Sequence, residues 1–245
     1  MRPQLFCLPV LVAVSLVHVR PAQAKREILP QWGFEFRLGA YQPTMGDREE
    51  QRYYRGFWGD TRPLMLALEF DRYLTYVFGG NLGVYLQVGH WKVSGKTRLG
   101  APGTISSDTA ASASKGNTKN QLQIIPIGLG VVFRADFLKR EWGVPLVGYA
   151  KAAFETVYWR CSVGSKTCRL GSGTFEGWTT GLSGALGVAL NLDWIATARA
   201  KKHQVFVDSF FFAEIRTIWG DGFGDKKTLD VSDTMATFGI AFDFD

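Results

Sequence analysis

Three groups of side chains in this 245-residue chain are of types that can do chemistry: His90 with Ser94, Cys161 with Cys168, and a scatter of carboxylates and cations. A histidine near a serine could act as base and nucleophile of a lipid hydrolase or acyltransferase at a membrane rim, provided a third group orients the imidazole. Spacing supplies no such third group, so His90 reads as a rim residue beside Trp91 and no catalytic residue is expected. His203 stands in a basic stretch with no nucleophile near it. Cys161 and Cys168, seven positions apart in a Gly/Ser/Lys segment, have no histidine or further cysteine nearby to make a metal site. In an exported chain they are expected to pair as a disulfide. Gly128-Leu129-Gly130 lacks the third glycine of a dinucleotide fingerprint. Asp221-Gly222-Phe223-Gly224-Asp225 offers carboxylates to calcium but has the composition of a turn. Neither a cofactor nor a metal is expected.

Export is written at the N-terminus. Met1 and Arg2 precede an apolar run, Leu5 to Val17, followed by Ala22-Gln23-Ala24 and then Lys25-Arg26-Glu27. The run is 13 residues long, short of the roughly 20 a spanning helix needs, so residues 1–24 are expected to be a cleaved signal peptide. Cys7 leaves with it, as do Arg2 and Arg20, and the remaining 221 residues carry 26 basic and 22 acidic side chains. A net charge of +4 without a Lys/Arg stripe gives no reason to expect a nucleic-acid partner. With 46% apolar residues and a mean hydropathy of −0.02 the chain is neither disordered nor a bundle of membrane helices. Eight Trp and 28 Gly suit twisted strands and water–lipid boundaries better.

Residues 25–245 are expected to form one domain, because period-two alternation recurs through them. Trp32-Phe34-Phe36-Leu38-Ala40 alternates with Gly33-Glu35-Arg37-Gly39-Tyr41, and comparable strands centre on 64–71, 82–89, 124–134, 146–155, 178–191, 205–217 and 236–244. Eight amphipathic strands fit either a soluble barrel, greasy face inward, or a membrane barrel with the faces reversed. Connections decide between them. Long polar segments at 42–61, 92–120, 160–177 and 218–233 alternate with shorter links at 71–79, 134–145 and 192–204, and both termini fall on the short side. All eight Trp (32, 58, 91, 142, 159, 178, 194 and 219) are expected at strand ends or in connections, as an aromatic girdle. Residues 194–203 read as a brief interfacial helix. The expected fold is therefore all-β: a closed, antiparallel, eight-stranded transmembrane barrel of up-and-down topology.

The last strand, Thr237-Phe238-Gly239-Ile240-Ala241-Phe242-Asp243-Phe244, resembles the C-terminal signal read by the outer-membrane barrel assembly machinery, with Thr237, Gly239, Phe242 and Phe244 at its key positions. Asp245 departs from it, since an aromatic is usually last. As a whole the chain resembles small eight-stranded bacterial outer-membrane barrel proteins. Through Leu66-Ala67-Leu68-Glu69-Phe70, Val144-Pro145-Leu146-Val147-Gly148-Tyr149-Ala150-Lys151, Leu192-Asp193-Trp194 and Phe212-Ala213-Glu214 it also resembles a myxobacterial-type group of such barrels. The resemblance implies a bacterial outer-membrane location, with outer-membrane lipids, lipopolysaccharide and the assembly machinery as partners. It implies no catalytic residues.

Inward faces of the strands then carry Glu35, Arg37, Glu69, Arg134, Lys151, Glu155, Glu214, Arg216 and Asp243. Eight strands enclose a lumen just wide enough for side chains, so these charges are expected to pair as a plug. The expected role is non-catalytic, in membrane structure or surface interaction. Alternatives are a narrow pore for ions or small solutes lined by the same groups, a soluble periplasmic barrel holding a hydrophobic ligand, and a rim lipid-modifying enzyme.

Overall fold

A computed structural model describes residues 30–44, 61–99, 114–163, 176–192, 208–224 and 228–245, with strand pieces at 166–167, 169–170 and 173–174. The expected leader, Trp58, Cys168, Trp194, His203, Asp225, the interfacial helix and the centre of the 92–120 segment lie outside the described residues.

Eight long strands form the wall: β1 Trp32–Ala40, β2 Leu64–Val77, β3 Gly80–Leu99, β4 Ser114–Ala135, β5 Leu146–Val163, β6 Glu176–Asn191, β7 Asp208–Trp219 and β8 Asp233–Phe244. Each pairs antiparallel with its sequence neighbours, and β1 pairs with β8 from Trp32↔Phe244 to Gly39↔Thr237. The ring is closed, which leaves no exposed edge. Among the described residues no helix is long and apolar enough to cross a membrane.

The wall is inside out. Leu68, Leu86, Leu129, Leu186, Val188, Ile215, Phe238 and Ile240 are exposed, Leu186 by 69%, while the alternate positions carry the buried charges. A soluble barrel needs the opposite phase, so the alternative of a periplasmic binder with an apolar cavity is corrected by this placement. At the end holding both termini, Arg72 lies over the Trp32 ring at 4.1 Å, and Trp32 and Phe244 both pack on Phe70. Trp178 and Trp219 stand exposed near the opposite rim. Aromatics at both ends of an apolar band are what the two interfaces of a bilayer favour.

Three expectations about connections and girdle change. The 71–79 link is mostly strand, and β2 turns into β3 through Phe78 and Gly79 alone, both at positive φ (50° and 76°). That is the backbone a two-residue hairpin requires. The 92–120 loop is largely a hairpin: β3 runs to Leu99 and β4 begins at Ser114, with Val93↔Leu122 continuing the inward alternation. Finally, Trp91 and Trp159 belong to the lumen and not to the girdle. Trp91 continues the inward phase of Tyr85, Gln87 and Gly89 and is 0% exposed, its indole N–H donating to the carbonyls of Tyr41 (3.1 Å) and Pro63 (3.2 Å). A short helix, α1 (Phe137–Trp142), closes the β4–β5 link and ends on Gly143 in the left-handed region.

Candidate functional site

The lumen is layered. Nearest the long connections, Tyr41, Met65, Trp91, Val93, Leu122, Ile124, Val157, Trp159, Ile218, Val231 and Met235 pack as one buried apolar cluster. The Tyr41 hydroxyl donates to the Val231 carbonyl at 2.5 Å, tying the segment after β1 to the segment before β8. Apolar side chains appear here because the alternation persists above the level where charges end, and the polar atoms of Tyr41, Trp91 and Trp159 each find an oxygen partner.

Below it lies the charged layer. Arg37 on β1 donates from Nη2 to Glu35 (3.0 Å) and Glu69 (2.7 Å), and from Nη1 to Gln87 (3.1 Å). Its Nε sits 3.0 Å from Glu214 Oε1, a charge contact without the alignment of a hydrogen bond. Lys151 bridges Glu35 (2.6 Å) and Glu69. Glu214 also accepts from Tyr149 and Thr237. A second centre forms on Glu155 Oε1, which accepts from Gln87, Ser183 and Arg216, each at 2.6 Å. Register explains that convergence. Gln87, Gly128 and Glu155 are paired across β3, β4 and β5, and a Cβ on Gly128 would lie 2.9 Å from both the Gln87 amide and Glu155 Oε1. The missing side chain is what lets the two outer groups meet.

Toward the termini, Arg134 pairs with Asp243 at 2.7 Å, donates to the Tyr73 hydroxyl and lies 4.4 Å over the Phe210 ring. Asp136 and Arg140 pair at this mouth (2.6 Å). All nine charged residues named from the alternation are buried in this interior, and they fall into two linked centres plus the Arg134–Asp243 pair. Three further buried polar residues join them, Gln87, Ser183 and Asp71, which were not among the charges named from the sequence. Asp71 shares the inward phase of Met65, Ala67 and Glu69, so the signal for it was present in the alternation.

Other candidates do not assemble. His90 and Ser94 both point outward along β3, about 13 Å apart at strand rise, and His90 Nε2 neighbours the Gln123 amide at 3.2 Å. Asp221 accepts from the Phe223 amide at 2.9 Å, closing a local turn. Cys161 is disulfide-bonded and buried against the apolar cluster. Thr237 and Gly239 face the lumen, where Thr237 holds Glu214 and Gly239 leaves room for the Phe212 ring.

No protein-family model matches the chain, and no curated protein matches it significantly in sequence. Among solved structures it is similar to the outer membrane protein OprG from Pseudomonas aeruginosa (TM-score 0.48, 11% identity, 88% of this chain and 96% of that one). It is also similar to a major outer membrane protein from Thermus thermophilus (0.42, 14%, 87% and 99%). A third is Ail, the attachment invasion locus protein of Yersinia pestis, solved in complex with the heparin analogue sucrose octasulfate (0.41, 9%, 87% and 97%). The class rests on the chain's own geometry: a closed, even-numbered antiparallel ring with an apolar exterior, a charged interior and aromatic rims. It is a closed eight-stranded antiparallel β-barrel with the inside-out wall of a transmembrane barrel.

Proposed function

We propose that this barrel is a non-conducting, non-catalytic component of the outer membrane, acting through its lipid-facing wall and its long-connection end. Residues 1–24 serve as the export leader, the C-terminal strand engages the assembly machinery, and lipopolysaccharide and phospholipid surround the wall. The likeness of Leu66–Phe70 and Val144–Lys151 to myxobacterial-type barrels supports placing it in that group.

The observation that carries this reading is Trp91, fully shielded from water in the lumen with Tyr41, Leu122 and Ile124 around it, above an equally shielded Arg37 layer. Conduction requires a water path, and two differently built layers of buried side chains stand in its way. A narrow pore would need both to part at once.

Planar-bilayer recording of the refolded chain tests it. The expected result is a flat trace under voltage for the wild type, and also for Lys151→Ala. Stepwise openings of the wild type that change in Lys151→Ala would establish the pore instead.

A further inference from the structure

One buried carboxyl group stands outside the pairing scheme. Asp71 lies on β2 one inward position beyond Glu69, toward the termini; it is 0% exposed, and neither of its carboxylate oxygens has a hydrogen-bond partner. Across the β1–β2 register it faces Gly33, where a Cβ would lie 2.8 Å from Asp71 Oδ2 and 3.1 Å from the Tyr73 hydroxyl. The carboxylate therefore occupies the space the glycine leaves. Oxygens of Glu35, Glu69 and Asp71 all lie within 4.8 Å of one another. Charge in the lumen is unbalanced as well. Among the described residues, six buried carboxyl groups (Glu35, Glu69, Asp71, Glu155, Glu214 and Asp243) share it with four cations (Arg37, Arg134, Lys151 and Arg216), Asp136 being matched by Arg140.

An ionised carboxylate shielded from water is not stable without a counter-charge. Lys151 and Arg37 are already committed to Glu35 and Glu69, and Arg134 to Asp243. The geometry points to a binding site for one hard divalent cation, of the calcium or magnesium class, held by Asp71 together with Glu35 and Glu69. Three carboxylates with no nitrogen or sulfur donor select a hard ion. Each carboxylate offers about four lone-pair sites, so Glu35 and Glu69 keep their Lys151 and Arg37 contacts while turning toward the ion. Two positive charges also balance the surplus of two. Calcium fits better than magnesium, because it accepts irregular oxygen sets and magnesium demands a near-ideal octahedron. Both ends are closed by buried side chains, and entry from the end nearest the termini requires Tyr73 and the Arg134–Asp243 pair to part, whereas entry from the other end would require the apolar cluster to open.

The test uses the chain refolded into detergent without lipopolysaccharide, stripped with EDTA and dialysed against calcium. Wild type is expected to hold one calcium per folded chain and none when unfolded, and its melting temperature is expected to climb with calcium and level off at that stoichiometry. Asp71→Asn, equal in shape, loses both the bound calcium and the thermal response while keeping its folded mobility on a gel. Gly33→Ala, which pushes a methyl against Asp71 Oδ2 with every charge in place, weakens binding several-fold. Asp221→Asn, in the turn before β8, changes neither. A wild type that binds no calcium or magnesium overturns the site, as does calcium whose amount Asp71→Asn does not reduce. Asp71 would then carry a proton. If Asp71→Asn does not fold, the wild-type stoichiometry and Gly33→Ala decide between the same two outcomes.

Discussion

Arg37 is the residue on which the interior depends most, because three carboxylates and one amide converge on its guanidinium. Truncating one partner of a buried ion pair leaves charge uncompensated and costs about 3–5 kcal/mol. Arg37→Ala is expected to lower stability by about that much in urea titrations followed by tryptophan fluorescence. Arg37→Lys should recover only part of it, since an ammonium cannot present the planar fork that serves Glu69 and Gln87 together. At Gly128 the expected fault is steric. Gly128→Val drives side-chain atoms between Gln87 and Glu155 and should cost about 1–3 kcal/mol with every charge retained. Comparing the two variants in the same titration separates lost charge pairing from lost room. Both positions were legible in the sequence as members of an inward face, but not as a hub and a gap. Alternation tells which residues share a side, whereas pairing depends on register across strands far apart in the chain, such as Arg37 with Glu214.

At the scale of the strands, the wall makes a sharp demand on its outward positions. Leu186 on β6 and Ile215 on β7 are register partners, both heavily exposed, near the middle of the apolar band. An arginine at either is expected to cost about 2–4 kcal/mol in a bilayer, read as a lower urea midpoint in lipid vesicles. The same substitution at Lys92, outward but nearer the long-connection rim, should be nearly silent. The plug answers to a different rule. Trp91→Ala leaves a cavity in a packed cluster and should cost about 3–5 kcal/mol, yet the Arg37 layer beneath should keep the barrel non-conducting. Strand number, order and facing were readable because seven segments alternate and the eighth, around 205–217, is ambiguous only where Phe210, Phe211 and Phe212 stand in a row. The extensions of β3 and β4 were less so: Lys92, Ser94, Gln121 and Gln123 look like a polar loop, and only the alternate Val93 and Leu122 reveal a strand whose outer face has left the lipid. Trp91 misled for the same reason, since a tryptophan near a strand end reads as girdle unless its phase is followed inward.

For the molecule as a whole, the C-terminal strand raises a question that the folded barrel alone cannot separate: whether Phe242 and Phe244 serve the finished structure or its assembly. Phe244 pairs with Trp32 at the closing seam and packs its ring 6.3 Å from Phe70, so some structural loss is expected on truncation. A signal read by assembly machinery acts before the seam exists, and its effect should therefore exceed the loss of stability. Phe244→Ala, at a half-buried position, is expected to refold in detergent with a normal heat-modifiable shift and a stability lowered by at most about 1.5–3 kcal/mol. In cells the same variant should fall several-fold in the outer-membrane fraction and accumulate as unfolded periplasmic material or degradation products. Phe70→Ala, on a strand outside the signal, removes that ring contact together with the one to Trp32, and so loses at least as much packing. Equal outer-membrane levels for the two variants would assign Phe244 to packing alone. A deficit confined to Phe244→Ala would give the last strand its second role, because Phe70→Ala gives up both the Phe244 and the Trp32 ring contacts and a loss of folded packing would then show there first.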